Sequence, residues 1–276
     1  MPKLTCFADE ISADFTEQLD VLEECGLGYL DLRGVWNKNV LELSDDEISR
    51  LKEEAGARGI EVAAIGSPIG KSTIDKPASY EMDRLERACE IAKLLGATYI
   101  RVFSFYAPIG RSILYYHDEV FDRMQAWVER VSRVDKNLVL THENEGRIYG
   151  ETPERCLEIA RRLGGENFTN CYDPANFVAA GLTDIYHSCW ERLKTYTGFL
   201  HLKDYAQDRP VPCGEGDAAV AETLADAYRA GFDGFMSVEP HLKQGGQFGG
   251  FSGPELFKKA VSAVKEICRA GGIPLD

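Results

Sequence analysis

An apolar stripe of helical period, then a glycine, then a short β-rich run: this order repeats along the chain and restricts its fold more than any single motif. Residues 14–25 place Phe15, Leu19, Leu22 and Cys25 on one helical face, followed by Gly26 and YLDLRGV. Residues 45–58 carry Ile48, Leu51 and Ala55, then Gly59 and IEVAAIG. Residues 79–95 carry Leu85, Ala88, Ile91, Ala92 and Leu95, then Gly96 and TYIRVFSF. Residues 153–163 run into Gly164–Gly165 ahead of FTNCYD, and 218–229 into Gly231 ahead of GFMSVE. Glycines so placed are expected to take the left-handed conformation that closes a helix. Ser44 with Glu47 fits a capping box, and Thr152–Pro153 an N-cap followed by Pro at the first helical position.

Eight β-rich runs are predicted, over 4–8, 29–34, 61–66, 99–105, 138–143, 168–173, 199–203 and 235–239. Strands that alternate with helices pair in parallel, because a parallel neighbour is reached only through a crossover. Spread over 276 residues, the units are about 34 residues each, as in a (β/α)8 TIM barrel of ordinary size. The expectation is an α/β chain forming one (β/α)8 barrel domain over residues 1–276. A doubly wound open sheet is disfavoured, since the first strand runs into FADEIS rather than a glycine-rich turn.

Composition narrows the partners. The chain is 44% hydrophobic and 28% charged, with mean hydropathy −0.26, as in soluble globular proteins. A formal net charge of −14 argues against nucleic acid and anionic membranes. No long apolar run and no leader-like start is seen, and the eight cysteines are scattered without a CxxC pair. A cytoplasmic protein with reduced, buried cysteines is expected. Assembly as a homo-oligomer stays open.

In such barrels the chemistry sits where strands end. The last four strands, LVLTHENE, NCYDPAN, FLHLKD and MSVEPHL, each set an ionisable side chain just after an apolar run: Glu143, Asp173, His201 and Glu239. Successive members lie about one β/α unit apart, so four neighbouring strands deliver them to one mouth. Alternation supports inward-facing Glu239 with Ser237 and Phe235, and inward-facing His201 with Phe199 and Lys203. Asp173 inward puts Tyr172 outward, a less tidy pattern. Three carboxylates converging with an imidazole repel one another unless a cation lies between them. One divalent metal ion is therefore expected, with Mn, Mg, Co or Zn all compatible with oxygen-rich ligands and one nitrogen.

FADEIS, LDLRGVW, SPIGK, IRVFSF, THENEGRIYGETPE, DPANFVAAG, HLKD, PCGEGD and SVEPHL follow in an order that resembles the xylose isomerase-like TIM barrels, specifically the sugar phosphate isomerase/epimerase group. That resemblance implies Glu143, Asp173, His201 and Glu239 as metal ligands, the same four found at the strand ends. It also implies a sugar or related polyol as substrate and proton transfer through a metal-stabilised enediolate. Glu143 and Glu239 are then the catalytic acid/base pair on opposite faces of the substrate. Many members carry a substrate-binding His three residues after the Asp; here that position is Asn176.

Position adds further substrate-binding candidates. Arg33 alternates with Asp31 on the second strand, and the two are expected to pair or to face the mouth. Lys203 follows His201 on the same face and either polarises a substrate oxygen or pairs with Asp204. His241 follows Glu239 and Pro240, and Lys71 lies in SPIGK. His142 points away from Glu143 and is expected to pack or to hydrogen-bond behind it. Asp217 in GEGD is expected to cap the next helix, its acidity arguing against phosphate there. The loop 244–253 reads as a lid or an oligomer contact, and ILYYHDEVF (113–121) as a wall of the site or as helix packing.

A lyase of the inosose dehydratase kind is the alternative, since it starts with the same proton abstraction. A DNA-repair endonuclease of the same superfamily uses several His on strands 2 to 4; here those strands end in LRGV, AIGS and FSFY. A non-catalytic sugar-binding barrel would not need all four ligands.

Overall fold

The computed structural model describes residues 1–243, 245 and 250–275. Its eight long-sheet strands are β1 (Lys3–Cys6), β2 (Tyr29–Leu32), β3 (Glu61–Ile69), β4 (Tyr99–Val102), β5 (Val139–Glu143), β6 (Phe168–Tyr172), β7 (Thr197–Leu202) and β8 (Phe235–Val238). They are hydrogen-bonded in the order β1-β8-β7-β6-β5-β4-β3-β2, every ladder parallel. A single bridge, Phe7 to Asp31, joins β1 to β2, and the Thr5 hydroxyl donates to Asp31 Oδ1 at 3.0 Å across the same seam. The result is a nearly closed (β/α)8 barrel.

Side-chain alternation sorts the strands into an inside and an outside. Ala64, Tyr99, Cys171, Phe199 and Phe235 pack together inside the barrel. The rings of Tyr99 and Phe199 stand 5.3 Å apart, and those of Phe199 and Phe235 6.1 Å. Leu200, Leu202, Met236 and Val238 belong to the larger core outside the barrel wall. Tyr172 joins that outer core, 5.2 Å from Trp190 and 5.8 Å from Phe177. Its outward position is thus ordinary aromatic packing.

The α-helices of six residues or more are α1 (Phe15–Cys25), α2 (Asp45–Gly56), α3 (Ala78–Leu95), α4 (His117–Val134), α5 (Pro153–Leu163), α6 (Pro174–Ala179), α7 (Val220–Arg229) and α8 (Pro254–Ala270). Ser44 and Glu47 form the capping box of α2, and Thr152 caps α5 with Pro153 in its first turn. Gly26, Gly59, Gly96 and Gly231 have positive φ. Gly164 does not: its φ is −56°. It is needed for closeness instead, since a Cβ there would collide with the Ala160 carbonyl oxygen. Asp217 is exposed and caps nothing; α7 starts from Ala219 without a side-chain cap.

All eight cysteines are free and seven are buried. Among the described residues, no helix is long and apolar enough to cross a membrane. In the aromatic run after β4, Ile113, Val120 and Phe121 are buried while Leu114 and Tyr115 are exposed, so the run splits between core and surface. Of the loop 244–253, residues 244 and 246–249 lie outside the described residues.

Candidate metal centre

Consecutive β/α units bring four side chains to one point of the barrel mouth. Glu143 ends β5, Asp173 follows β6, His201 lies near the end of β7 and Glu239 follows β8. Each offers a ligand atom within 4.8 Å of the others, and all four are buried. His201 Nδ1 lies 3.2 Å from Glu239 Oε2, 3.4 Å from Glu143 Oε1 and 3.8 Å from Asp173 Oδ2. Neither His201 Nδ1 nor Glu239 Oε2 has a hydrogen-bond partner. Buried polar atoms are rarely left so, and these suit a shared cation. The Phe7 ring meets the imidazole edge-on at 5.2 Å and helps to fix its orientation.

The Asp173 carboxylate faces two ways at once. Its Oδ1 accepts the Asn176 N–H at 3.0 Å and so caps α6, while Oδ2 faces the centre. Asn144 locks its backbone from both sides, accepting the Asp173 N–H at 2.9 Å and donating to the Asp173 carbonyl at 2.7 Å. Capping and ligation are thus compatible in one carboxylate.

Burial alone would raise the Glu143 carboxyl, but His201 and Arg101 outweigh it and hold it well below the usual range. Burial likewise opposes ionisation of Glu239, yet His241, Lys203 and His201 keep it well below normal. For His201, burial disfavours the proton, while Cys171, Glu143 and Glu239 raise its pKa well above the ordinary imidazole value. In this anionic setting His201 keeps a proton that a bound divalent cation would displace.

The remaining candidates divide. Arg33 pairs with Asp9 at 2.8 Å and Glu239 at 2.7 Å rather than with Asp31, which lies deeper against Thr5. Asn176 donates to Glu143 Oε1 at 3.2 Å and accepts from Lys203 Nζ at 3.1 Å. Lys203 also faces Asp173 at 3.4 Å and does not pair with Asp204. Burial opposes its charge, but Asp173 and Glu239 hold the ammonium well above its usual range. His241 Nε2 lies 3.3 Å from both Glu10 and Glu239. Lys71 pairs with Glu145 at 2.8 Å, and its ammonium lies 4.3 Å from the centre of the Phe103 ring. His142 hydrogen-bonds with Ser104 behind the site at 3.0 Å, and burial lowers its pKa to about 4.

GEGD is organised by a neighbour rather than by Asp217. The Asp204 carboxylate accepts the N–H groups of Gly214, Gly216 and Ala218 at 2.9, 3.0 and 3.0 Å. Three converging backbone donors make an anion-binding nest, and a side chain of the chain itself fills it.

Sequence reasoning missed Arg101, Asp9 and Glu10. Arg101 donates to Glu143 at 2.9 Å and lies 3.7 Å from Glu239. It alternates with Tyr99 on β4, so it faces inward. Asp9 and Glu10 follow β1 directly. The strand-end rule used on the last four strands would have found them on the first.

The family-wide pattern of this fold matches. A model of the xylose isomerase-like TIM barrel matches residues 19–267, and the chain belongs to that family. No protein of curated function matches its sequence. Solved structures share the fold at low identity. The probable 3-DHS dehydratase AsbF of Bacillus anthracis, involved in petrobactin synthesis, has a TM-score of 0.76 at 15% identity, over 96% of this chain and 99% of its own. A xylose isomerase-like TIM barrel protein of Mycobacterium smegmatis, solved with magnesium, has a TM-score of 0.76 at 15% identity, over 98% and 97%. D-psicose 3-epimerase of Clostridium cellulolyticum H10, solved with D-tagatose, has a TM-score of 0.70 at 18% identity, over 99% and 100%.

Proposed function

We propose that this protein is a divalent-metal-dependent isomerase or epimerase of a sugar or related keto-polyol, acting by proton transfer at the carbon beside a carbonyl. One observation carries the reading: Glu143, Asp173, His201 and Glu239 converge, and two of their buried ligand atoms, 3.2 Å apart, complete no hydrogen bond. Those residues would hold the cation, which when bound supplies positive charge to offset negative charge developing on the substrate oxygens.

Within this reading Glu143 removes the proton and Glu239, across the substrate, returns one to the opposite face. Arg101 helps His201 keep Glu143 ionised between turnovers. Asn176 fixes the Glu143 carboxylate by its 3.2 Å hydrogen bond. Lys203 stays charged and acts as an electrostatic partner of a substrate oxygen, not as a proton donor. Arg33, Lys71 and His241 line the remaining rim.

Asn176 also gives weight to a second reading. A neutral amide stands where many relatives place a histidine, so the fate of the common intermediate is open to change. A dehydratase would lose water after the same proton removal. Solvent deuterium incorporation by the manganese-loaded protein, across free ketoses and inososes, tests the shared first step. Exchange beside the carbonyl supports it, and its absence with every compound contradicts it; product analysis then separates isomer from dehydration product.

A further inference from the structure

Beside the proposed metal centre, between β1, β2 and β8, lies a second cluster of ionisable groups, which shares Glu239 with it. Asp9 and Glu10 follow β1, Arg33 follows β2, and His241 lies two residues beyond Glu239. Close contacts link them: Arg33 Nε to Asp9 Oδ2 at 2.8 Å, Arg33 Nη1 to Glu239 Oε1 at 2.7 Å, and His241 Nε2 to Glu10 Oε1 and Glu239 Oε1 at 3.3 Å each. Even so, Asp9 Oδ1, Glu10 Oε1, Arg33 Nη2 and His241 Nε2 are buried without a completed hydrogen bond.

Glu10 shows why this is a built site. It is wholly buried, 0% exposed. Its Oε2 accepts the His241 N–H at 2.9 Å and the Ser252 hydroxyl at 2.8 Å. Its backbone carbonyl accepts the N–H groups of Ser252 and Gly253 at 2.9 and 2.8 Å. The carboxylate is therefore fixed, with Oε1 turned to His241 Nε2 at 3.3 Å and no completed hydrogen bond.

The atoms without a completed hydrogen bond are two carboxylate oxygens, one guanidinium nitrogen and one imidazole nitrogen. Hydroxyl groups, which donate and accept, satisfy such a mixture. A phosphate or carboxylate would be repelled by Asp9 and Glu10. The backbone nest at 214–218 is filled by Asp204. Lys71, Arg101 and Lys203 each face a carboxylate already. A second divalent cation on Glu10, Glu239 and His241 would sit against Arg33, 2.7 Å from the shared Glu239 Oε1. Repulsion by that guanidinium favours hydroxyls over a cation.

We propose that Asp9, Glu10, Arg33 and His241 form a second binding lobe for adjacent hydroxyls on the uncharged end of a polyol substrate whose carbonyl end lies at Glu143, Asp173, His201 and Glu239. The proposal rests on the keto-polyol reading above.

Calorimetric titration of the manganese-loaded full chain tests it, with three probes: dihydroxyacetone, which lacks the remote end, free ketopentoses and ketohexoses, and their terminal phosphates. The variants are Glu10→Gln and Asp9→Asn, the second leaving the Ser252 anchor in place. In the wild type, a free ketose is expected to bind at least tenfold tighter than dihydroxyacetone or the phosphates. Each variant is expected to weaken the ketose roughly tenfold, as for one lost hydrogen bond to a charged group, and to leave dihydroxyacetone and one equivalent of manganese unchanged. Tighter binding of phosphates, equal weakening of short and long ligands, or a second manganese equivalent lost in Glu10→Gln would overturn the lobe. If dihydroxyacetone exchanges its C–H with solvent deuterium but added length brings no affinity, the lobe alone fails. If no ketose binds and none exchanges, the functional reading fails with it.

Discussion

Arg101 lies 2.9 Å from Glu143 and 3.7 Å from Glu239, buried with both. Removing it leaves Glu143 Oε2 buried without its close cationic partner. Arg101→Ala is expected to cost about 3 to 5 kcal/mol of stability, partly recovered by manganese. Urea denaturation with and without the metal measures this, and an unchanged midpoint would count against the role. Glu143→Gln and Glu239→Gln are each expected to slow solvent proton exchange at least about a hundredfold; full activity in both would sink their assignment. Two further groups tie stability to pH with opposite signs. Burial raises the Asp31 carboxyl to about 6, above its unfolded value. The stability from its bound proton is present in acid and lost as pH rises through about 6. Burial lowers His142 to about 4, so its contribution is present above its unfolded value of about 6.5 and lost as pH falls toward 4. Each amounts to about 3 kcal/mol, and between pH 4 and 6 they oppose one another. Asp31→Asn should therefore gain stability over the wild type at pH 7 and not at pH 4, while His142→Gln should gain in acid. Denaturation from pH 4 to 7.5 reads both, and profiles parallel to the wild type would contradict the account. The four converging positions were legible because each ionisable residue ends an apolar run. Arg101 sits inside such a run, so only strand register reveals where it points.

At the scale of elements, helix starts and stops were the most readable feature, because capping is local chemistry. Ser44, Glu47 and Thr152 act from within a few residues of the helices they start. Gly164 and Asp217 were misread because their environment is set by contact rather than by the neighbouring sequence. Gly164 packs against the Ala160 carbonyl, whereas Gly165 has open space around it. Gly164→Ala is expected to destabilise by about 1 to 3 kcal/mol and Gly165→Ala to change stability by less than about 1 kcal/mol, as thermal denaturation would show. Equal effects would contradict the close-approach argument. The 214–218 loop is held by Asp204, ten to fourteen residues earlier, through three N–H groups. A reading by adjacency could not assign that partner. Asn144, which clamps Asp173 across two β/α units, was hidden for the same reason.

Over the whole molecule, the alternation of helices and strands was enough to give a parallel barrel, since seven crossovers leave few other ways to bury both faces of each strand. The ring closes weakly between β1 and β2, by one bridge and one side-chain hydrogen bond. Closure there brings the residues after β1 to those after β2 and β8, and so assembles the second lobe. The formal charge of −14 is mostly surface acidity. A small part of it gathers at the mouth, where Glu143, Asp173 and Glu239 surround one imidazole. That anionic enclosure is the central claim, and manganese binding tests it most directly. Titration of the full chain with manganese should give one equivalent bound, with affinity rising as pH rises because His201 must release its proton. Asp173→Asn and His201→Ala should each abolish that binding. A wild-type chain that binds no manganese, or variants that bind it as tightly as the wild type, would contradict the account.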